Sequence, residues 1–164
     1  MDVAEPPNLS SETAGVVMRP PFLVLGFLFV GHALDHLWPL TLGIPDDHVV
    51  RHAISSVLII GGIAMLVAGV RNFARAGTPV PSNQPTRELV TTGIHGWSRN
   101  PIYVGMLLFV AGVGVLLRSP WILILLLPLA IILRYFVIAK EEAYLERLFG
   151  DAYLEYKRRV RRWF

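Results

Sequence analysis

The stretch IYVGMLLFVAGVGVLLRSPWILILLLPLAIILRYFVIA, Ile102 to Ala139, decides the fold of this 164-residue chain. It holds two apolar runs, Ile102 to Leu117 and Trp121 to Ala139, separated only by Arg118-Ser119-Pro120. Each run is near the roughly 20 residues that cross hydrocarbon, where a lone segment satisfies its backbone groups only as a helix. The polar Arg-Ser-Pro joint is a tight connection, so the pair reads as a transmembrane helical hairpin. Upstream, Phe22 to Leu42 and Ala53 to Val70 are apolar runs of similar length, which brings the count to four spans.

Composition agrees with that reading. Hydrophobic residues make up 54% of the chain and charged ones 16%, with a mean hydropathy of +0.53. A soluble domain is nearer about 25% charged, so lipid must cover much of this surface. The expected fold class is therefore all-α: one integral membrane helical bundle forming a single domain over 1–164. Its expected parts are a flexible tail at 1–21, four transmembrane helices over 22–139 and a cytoplasmic helical segment over 140–164. The tail is polar and carries Pro6, Pro7, Pro20 and Pro21, unlike a secretory signal. Ala64 with Ala68 and Gly105 with Gly112 stand at helical spacing and would let spans approach closely. No internal repeat is present, and Gly77 to Pro85 reads as a flexible connection.

The basic residues orient the bundle. Arg19, the connection holding Arg71, Arg75, Arg87 and Arg99, and the C-terminal segment fall on one side, and only Arg51 and Arg118 on the other. The richer side is cytoplasmic by the positive-inside rule, which puts both termini there. Lys157, Arg158, Arg159, Arg161 and Arg162 crowd into the last eight positions. Such a tail suits nucleic acid in a soluble protein. In a membrane protein it suits anionic lipid at the cytoplasmic face, and no nucleic-acid partner is expected. The absence of cysteine rules out disulfides, thiolate metal ligands and a cysteine nucleophile.

Two segments bear chemistry. The first is TGIHGWSRNPIYVG, Thr92 to Gly105, where a polar loop enters the third span. Asn100 is a good N-cap and Pro101 suits the first helical position, so exposed amides and a positive dipole end would lie beside Arg99. That arrangement welcomes a carboxylate or phosphate; the plainer reading is a helix start at the membrane interface. The second is AKEEAYLERLFG, Ala139 to Gly150, at the exit of the fourth span. Gly150 suits a helix stop, and Asp151 can cap a further helix through Tyr153, Tyr156 and Arg159. Arg134 precedes Glu141 by seven residues, which places the two on one helix face about 10 Å apart. An arginine in a span is a functional candidate, with snorkelling to the interface as the alternative.

A Gly-x-x-x-x-x-Arg-x-Pro-x-Tyr-x-Gly run, then a hydrophobic hairpin and a Glu-Glu pair, resembles the isoprenylcysteine carboxyl methyltransferase and phospholipid N-methyltransferase superfamily. The similarity runs from about Leu89 to Trp163 and includes the closing Phe149-Gly150-Asp151-Ala152-Tyr153-Leu154-Glu155-Tyr156. It implies S-adenosylmethionine as cofactor at the cytoplasmic helix ends and a lipidic or small amphiphilic methyl acceptor arriving from the membrane. Carried over by position, it makes Arg99, Asn100, Pro101, Tyr103 and Gly105 parts of a cofactor pocket closed by Glu141 and Glu142. It also puts Arg159 near a basic position used close to the substrate. The superfamily often has histidine where Asn100 stands and Pro-Tyr where Ile94-His95 stands. Asparagine keeps hydrogen bonding but loses titration, which leaves His95 as the candidate base. Methyl transfer to a thiolate, carboxylate or neutral amine needs mainly alignment and desolvation.

Two other functions suit parts of the sequence. Membrane sterol reductases resemble the same C-terminal half and would use the pocket for NADPH. His32 and His36, four apart on one helix face with Asp35 between, and His48 and His52 beyond them, could ligate haem or a metal. The preferred reading of these histidines is a hydrogen-bonded polar patch at the outer surface with Trp38 as an interfacial anchor, and no metal site is expected. The leading expectation is the membrane methyltransferase; its acceptor and oligomeric state are not specified by the sequence.

Overall fold

In a computed structural model, which describes residues 14–16, 19–41, 43, 47–80 and 85–163, the apolar runs are all helical. The order is α1 (Pro20–Leu37), α2 (His48–Arg75), a 3-10 turn (Gly93–Gly96), α3 (Pro101–Leu116), α4 (Pro120–Ile132), a π-helical stretch (Leu133–Ile138), α5 (Ala139–Phe149) and α6 (Asp151–Arg159). No strand occurs among the described residues. Of the expected tail, residues 1–13, 17 and 18 lie outside the described residues, as do Asp46 and residues 81–84 of the Gly77 to Pro85 connection. Ala14 and Val16, just before α1, are buried in the core with Val24.

Local chemistry sets the helix starts. Helices α1, α3 and α4 each begin on proline, whose missing N–H is no loss in a first turn. Asp47 caps α2 by accepting from the Val50 amide at 3.0 Å, and Ser119 caps α4 by accepting from Ile122 at 3.0 Å. Gly150, at φ +52°, ends α5 in a conformation that other residues resist. It is also the cap residue of α6, so Asp151 stands inside the first turn rather than at the cap.

Helix α3 is the centre of the bundle. Helix α2 runs antiparallel along it, and the two touch backbone to backbone where a Cβ on Gly62 would lie 2.6 Å from the Gly105 carbonyl oxygen. Gly69 rests on Ile102, Gly112 on Ile59, and on the other side Gly31 of α1 rests on Ile122 of α4. The small-residue contact of α2 therefore runs through Gly62 and Gly69, and Ala64 of the expected Ala64–Ala68 pair is exposed.

The outward faces are apolar: Phe29 is 74% exposed, Val57 72% and Leu127 68%. At roughly 25 cal/mol per Å2, so much apolar surface is untenable in water and costless against acyl chains. Pro20–Leu37, His48–Arg75 and Pro120–Phe149 are long and apolar enough to cross a membrane, and α3 is a shorter apolar helix of 16 residues. The chain is thus a multi-pass membrane bundle. At 1.5 Å per residue α3 reaches about 24 Å, short of a full bilayer core. Its flanks are covered by α2 and α4, so it need not meet lipid along its length.

The fourth span, the π stretch and α5 form one rod from Pro120 to Phe149. The wider π turn breaks the seven-residue phase that would have aligned Arg134 with Glu141. Arg134 instead lays its guanidinium over the Tyr135 ring, 5.4 Å from the centroid. At the far end of the bundle the Trp121 indole donates to the Trp38 carbonyl at 2.7 Å. There His32 and His36 approach to 3.3 Å between Nε2 atoms, and Arg51 donates to His48 Nδ1 at 2.8 Å. Among the described residues no three or more His, Cys, Asp or Glu side chains are placed to hold a metal ion.

Candidate active site

The end of the bundle opposite those histidines gathers the chemistry-bearing residues. The chain leaves α2 at Arg75, returns through Thr86 to Val90, and makes the 3-10 turn before entering α3. Asn72 of α2 pins that turn by donating to the Thr92 carbonyl at 2.7 Å. Gly93 is favoured there by its φ of +58°, which other residues resist, and a Cβ would also displace the Asn72 amide from the turn, at 2.5 Å from its nitrogen.

Arg99, just before α3, is a tie rather than a free cation. It donates to Glu142 Oε1 from Nε at 3.2 Å and from Nη2 at 2.9 Å. Its Nη1 meets the Lys157 and Val160 carbonyls at 3.0 and 2.7 Å, and its amide donates to the Arg161 carbonyl at 3.0 Å. Arg162 closes the other side of Glu142 at 2.6 Å, and this ion pair holds the Arg162 guanidinium proton more tightly than usual. Ser98 and Asn100 both donate to the Arg162 carbonyl, at 3.3 and 3.2 Å. One buried carboxylate between two guanidiniums thus clasps the entry of α3, the helix α5 and the segment after α6. A partnered buried charge of this kind is tolerated because both carboxylate oxygens find charged donors.

Asn100 occupies the cap position of α3 without making a side-chain cap bond, since its amide is spent on Arg162. The Asn100 amide hydrogen goes to Ser98 Oγ at 3.2 Å, Pro101 has none, and the Tyr103 amide is taken by the Asn100 carbonyl. The first turn therefore offers few free N–H groups. With Arg99 engaged as well, the anion seat anticipated at this helix start is largely filled by the protein itself.

What remains is a cavity of about 50 Å3 lined by Arg99, Asn100, Pro101, Tyr103, Glu141, Glu142 and His95, with Phe73, Tyr153 and Tyr156 behind them. Tyr103 donates its hydroxyl to Glu141 Oε1 at 2.7 Å, and both side chains are buried. The neighbouring glutamates thus divide the work, Glu142 to the clasp and Glu141 to the cavity wall. His95 is 3% exposed, and burial pushes its imidazole down to about 4, so it is neutral at physiological pH. Its carbonyl accepts from the Tyr156 hydroxyl at 2.7 Å. Burial raises the Tyr153 and Tyr156 hydroxyls above their ordinary range, which keeps both protonated.

A second, larger space adjoins the first. A groove of about 820 Å3 opens between α1, α2 and α3, with Arg19 and Pro20 at its rim and Leu66, Met106 and Phe109 along its walls. Val80, Ile102 and Tyr103 line both spaces. Tyr103 is therefore the partition between a small polar chamber and a long apolar trough.

Of the residues singled out from the sequence, Arg99, Asn100, Pro101, Tyr103, Glu141, Glu142 and His95 converge on one chamber. Gly105 does not line it: it faces Gly62 and Leu66, where a Cβ would meet backbone at 2.6 Å, so its role is helix contact. Arg159 stands apart on the outer face of α6, its side chain 66% exposed and paired loosely with Glu155 at 3.9 Å. The helix ends there, and only once the backbone turns extended at Val160 does a basic side chain, Arg162, reach Glu142. Arg162 and Asn72 were missed by sequence reasoning. Arg162 was hidden in a run of like charges, and the one signal for Asn72 was an amide at the polar end of an apolar helix.

Comparison with known proteins places residues 50–152 in the match to the family described as Phospholipid methyltransferase. The chain is similar to the Protein-S-isoprenylcysteine O-methyltransferase of Schizosaccharomyces pombe, 30% identical over 147 residues that cover 87% of this chain and 53% of that protein. The Xenopus laevis protein of the same name is 40% identical over 99 residues, 59% of this chain and 33% of its own length. That of Saccharomyces cerevisiae is 38% identical over 74 residues, 44% and 30% respectively. The chain thus spans about a third to a half of the length of these curated relatives. No solved structure matches it.

Proposed function

Because the chain belongs to the phospholipid methyltransferase family, we propose that it is an integral membrane methyltransferase that moves a methyl group from S-adenosylmethionine to a lipidic or small amphiphilic acceptor. The observation that carries this reading is the position of Tyr103, which walls a polar chamber on one side and an apolar groove on the other. A water-borne donor and a membrane-borne acceptor would meet at such a partition.

The donor set fits the cofactor. Glu141 supplies a buried carboxylate that can accept from an amino or ribose hydroxyl group and sits well beside a cationic sulfonium. S-adenosylmethionine, when bound, supplies the electrophilic methyl. The protein's part is to align the acceptor and exclude water, which Tyr103, Ile102 and Val80 do from their shared wall. Burial pushes the His95 imidazole down to about 4, too weak a proton acceptor for a good general base at pH 7, so the acceptor has to arrive as a competent nucleophile. At about 50 Å3 the chamber holds a water or two, so a nucleoside needs its wall to move outward.

The distribution of arginines supports a cytoplasmic chamber with both termini on that side. The comparisons favour neither an NADPH-dependent reductase nor a haem or metal protein built on His32 and His36. The test is to purify the full chain in detergent, record its visible spectrum and metal content, and titrate S-adenosylhomocysteine and NADPH separately. Saturable binding of S-adenosylhomocysteine alone is the expected result. Binding of NADPH alone, or of neither, sinks the proposal.

A further inference from the structure

The imidazole of His95 is set in one protonation form by its neighbours. Asn72 donates through Nδ2 to the Thr92 carbonyl at 2.7 Å, which fixes the amide so that its nitrogen, not its oxygen, faces the turn. The same Nδ2 lies 3.3 Å from His95 Nδ1. An amide nitrogen only donates, so Nδ1 must be the bare, accepting nitrogen of the ring. A neutral imidazole then carries its proton on Nε2. The Phe73 ring of α2 packs edge-on against the imidazole at 4.8 Å, and the Tyr156 hydroxyl of α6 bonds the His95 carbonyl at 2.7 Å, so side chain and backbone are each held. Among the described residues no hydrogen bond takes the Nε2 proton, while the side chain lines the chamber that Glu141 and Tyr103 share.

The cation that lines the chamber, Arg99, cannot serve an incoming anion without breaking the clasp, because it is committed to Glu142 and two backbone carbonyls. We infer that His95, locked by Asn72 as its Nε2–H form, is the positioning residue that donates a hydrogen bond to a carboxylate of the bound ligand, and that it does not act as a base. This rests on the methyltransferase reading above. A carboxylate could come from the methionyl end of the cofactor or from the acceptor, and the chemistry asked of His95 is the same in both. A donor here also complements the acceptor oxygens of Glu141, so the chamber offers both kinds of group to a zwitterion or an amino acid. The charged and titratable groups that line the chamber with the ring are Glu88 before the 3-10 turn, Arg99 and Tyr103 at the start of α3, Glu141 and Glu142 on α5, and Tyr153 and Tyr156 on α6.

The experiment has a spectroscopic arm and a binding arm, both on the full chain in detergent. With 15N-labelled histidine, the imidazole nitrogens of His95, assigned by loss of signal in His95→Gln, should report a bare Nδ1 and a protonated Nε2 from pH 5 to 8. In Asn72→Ala the Nδ1–H form should appear. S-adenosylhomocysteine and an N-acetylated isoprenylcysteine are then titrated separately into the wild type, His95→Gln and His95→Phe. Glutamine places an amide donor near Nε2 and should bind within a few-fold of wild type. Phenylalanine should weaken one ligand roughly ten- to a hundredfold, the loss expected for a hydrogen bond to a charged group, and which ligand suffers identifies the carboxylate. Thermal midpoints of all variants separate folding from binding. A protonated Nδ1 or an imidazolium at pH 7 overturns the inference, as does unchanged binding of both ligands by His95→Phe. If the wild type binds neither ligand, the methyltransferase reading falls and the ligand role falls with it, a result told apart by the wild-type titrations alone.

Discussion

Tyr103 of α3 and Glu141 of α5 join hydroxyl to carboxylate over 2.7 Å at the boundary between the chamber and the groove. The bond crosses 38 residues of chain and both halves of the hairpin. It fixes the carboxylate direction, which is what a ligand would read. Tyr103→Phe should weaken S-adenosylhomocysteine binding by about 1.5–3 kcal/mol, the range for a hydrogen bond to a charged group. Isothermal titration in detergent measures this. An equal loss of affinity and of thermal midpoint would assign Tyr103 to folding alone.

Arg99→Met should be far more damaging to the fold. It removes the buried partner of Glu142 and strands the Lys157 and Val160 carbonyls, a change in the class that costs about 3–5 kcal/mol. Arg99→Lys should recover little, because a single ammonium cannot reproduce the fork. Arg159→Gln is the control: its exposed, loose pair with Glu155 is in the class worth about 0.3–0.5 kcal/mol. Thermal midpoints of the three variants decide the ranking, and a milder effect for Arg99→Met than for Arg159→Gln would contradict the clasp.

The depressed imidazole of His95 makes stability depend on acidity in a stated direction. Unfolded, the ring titrates near 6.5; folded, at about 4. As pH falls below 6.5 the unfolded chain takes up a proton that the folded chain refuses, so stability is full above that point and declines toward pH 4. The slope is about 1.4 kcal/mol per pH unit, for a total on the order of 3 kcal/mol. His95→Gln should flatten the midpoint-against-pH curve across that window. A wild type and variant with parallel curves would contradict the burial of a neutral ring.

Gly62 and Gly61 should respond oppositely to the same substitution. Gly62→Ala drives a methyl to 2.6 Å from the Gly105 carbonyl and 2.7 Å from the Phe109 amide, both backbone. Prying α2 from α3 in this way should cost about 1–3 kcal/mol or more. Gly61→Ala meets nothing within 4 Å and should leave the midpoint unchanged or slightly higher. Comparable losses at both positions would mean that helix propensity, not close packing, governs this contact.

The hairpin and the helical class were legible because they rest on local signals: apolar run length, a proline start, a glycine stop. The gathering of Arg99, Tyr103 and the two glutamates followed only from the family resemblance, since no local signal brings together pairs separated by 38 and 43 positions. The identity of the α2 contact was not, since Ala64–Ala68 and Gly62–Gly69 are both plausible small-residue pairs and only the rotation of α2 about its axis chooses between them. The π turn had no signal of its own, yet it decides where Arg134 points. Arg159 and Arg162 were indistinguishable as members of one basic run. Three residues and the end of α6 separate an exposed side chain from one that completes the clasp. The Asn72 contact spans 20 residues to Thr92, and no periodicity announces a pairing across a connection.

The clasp also imposes an order on assembly. The elements that anchor the chain in the bilayer are complete once Phe149 has been made, but the chamber is held together by the carbonyls of residues 157 to 162 and by the Arg162 side chain. A nascent chain that has reached only Gly150 therefore possesses every span and no finished pocket. The spans can thus be in place before the chamber is closed, which waits on residues 157 to 162.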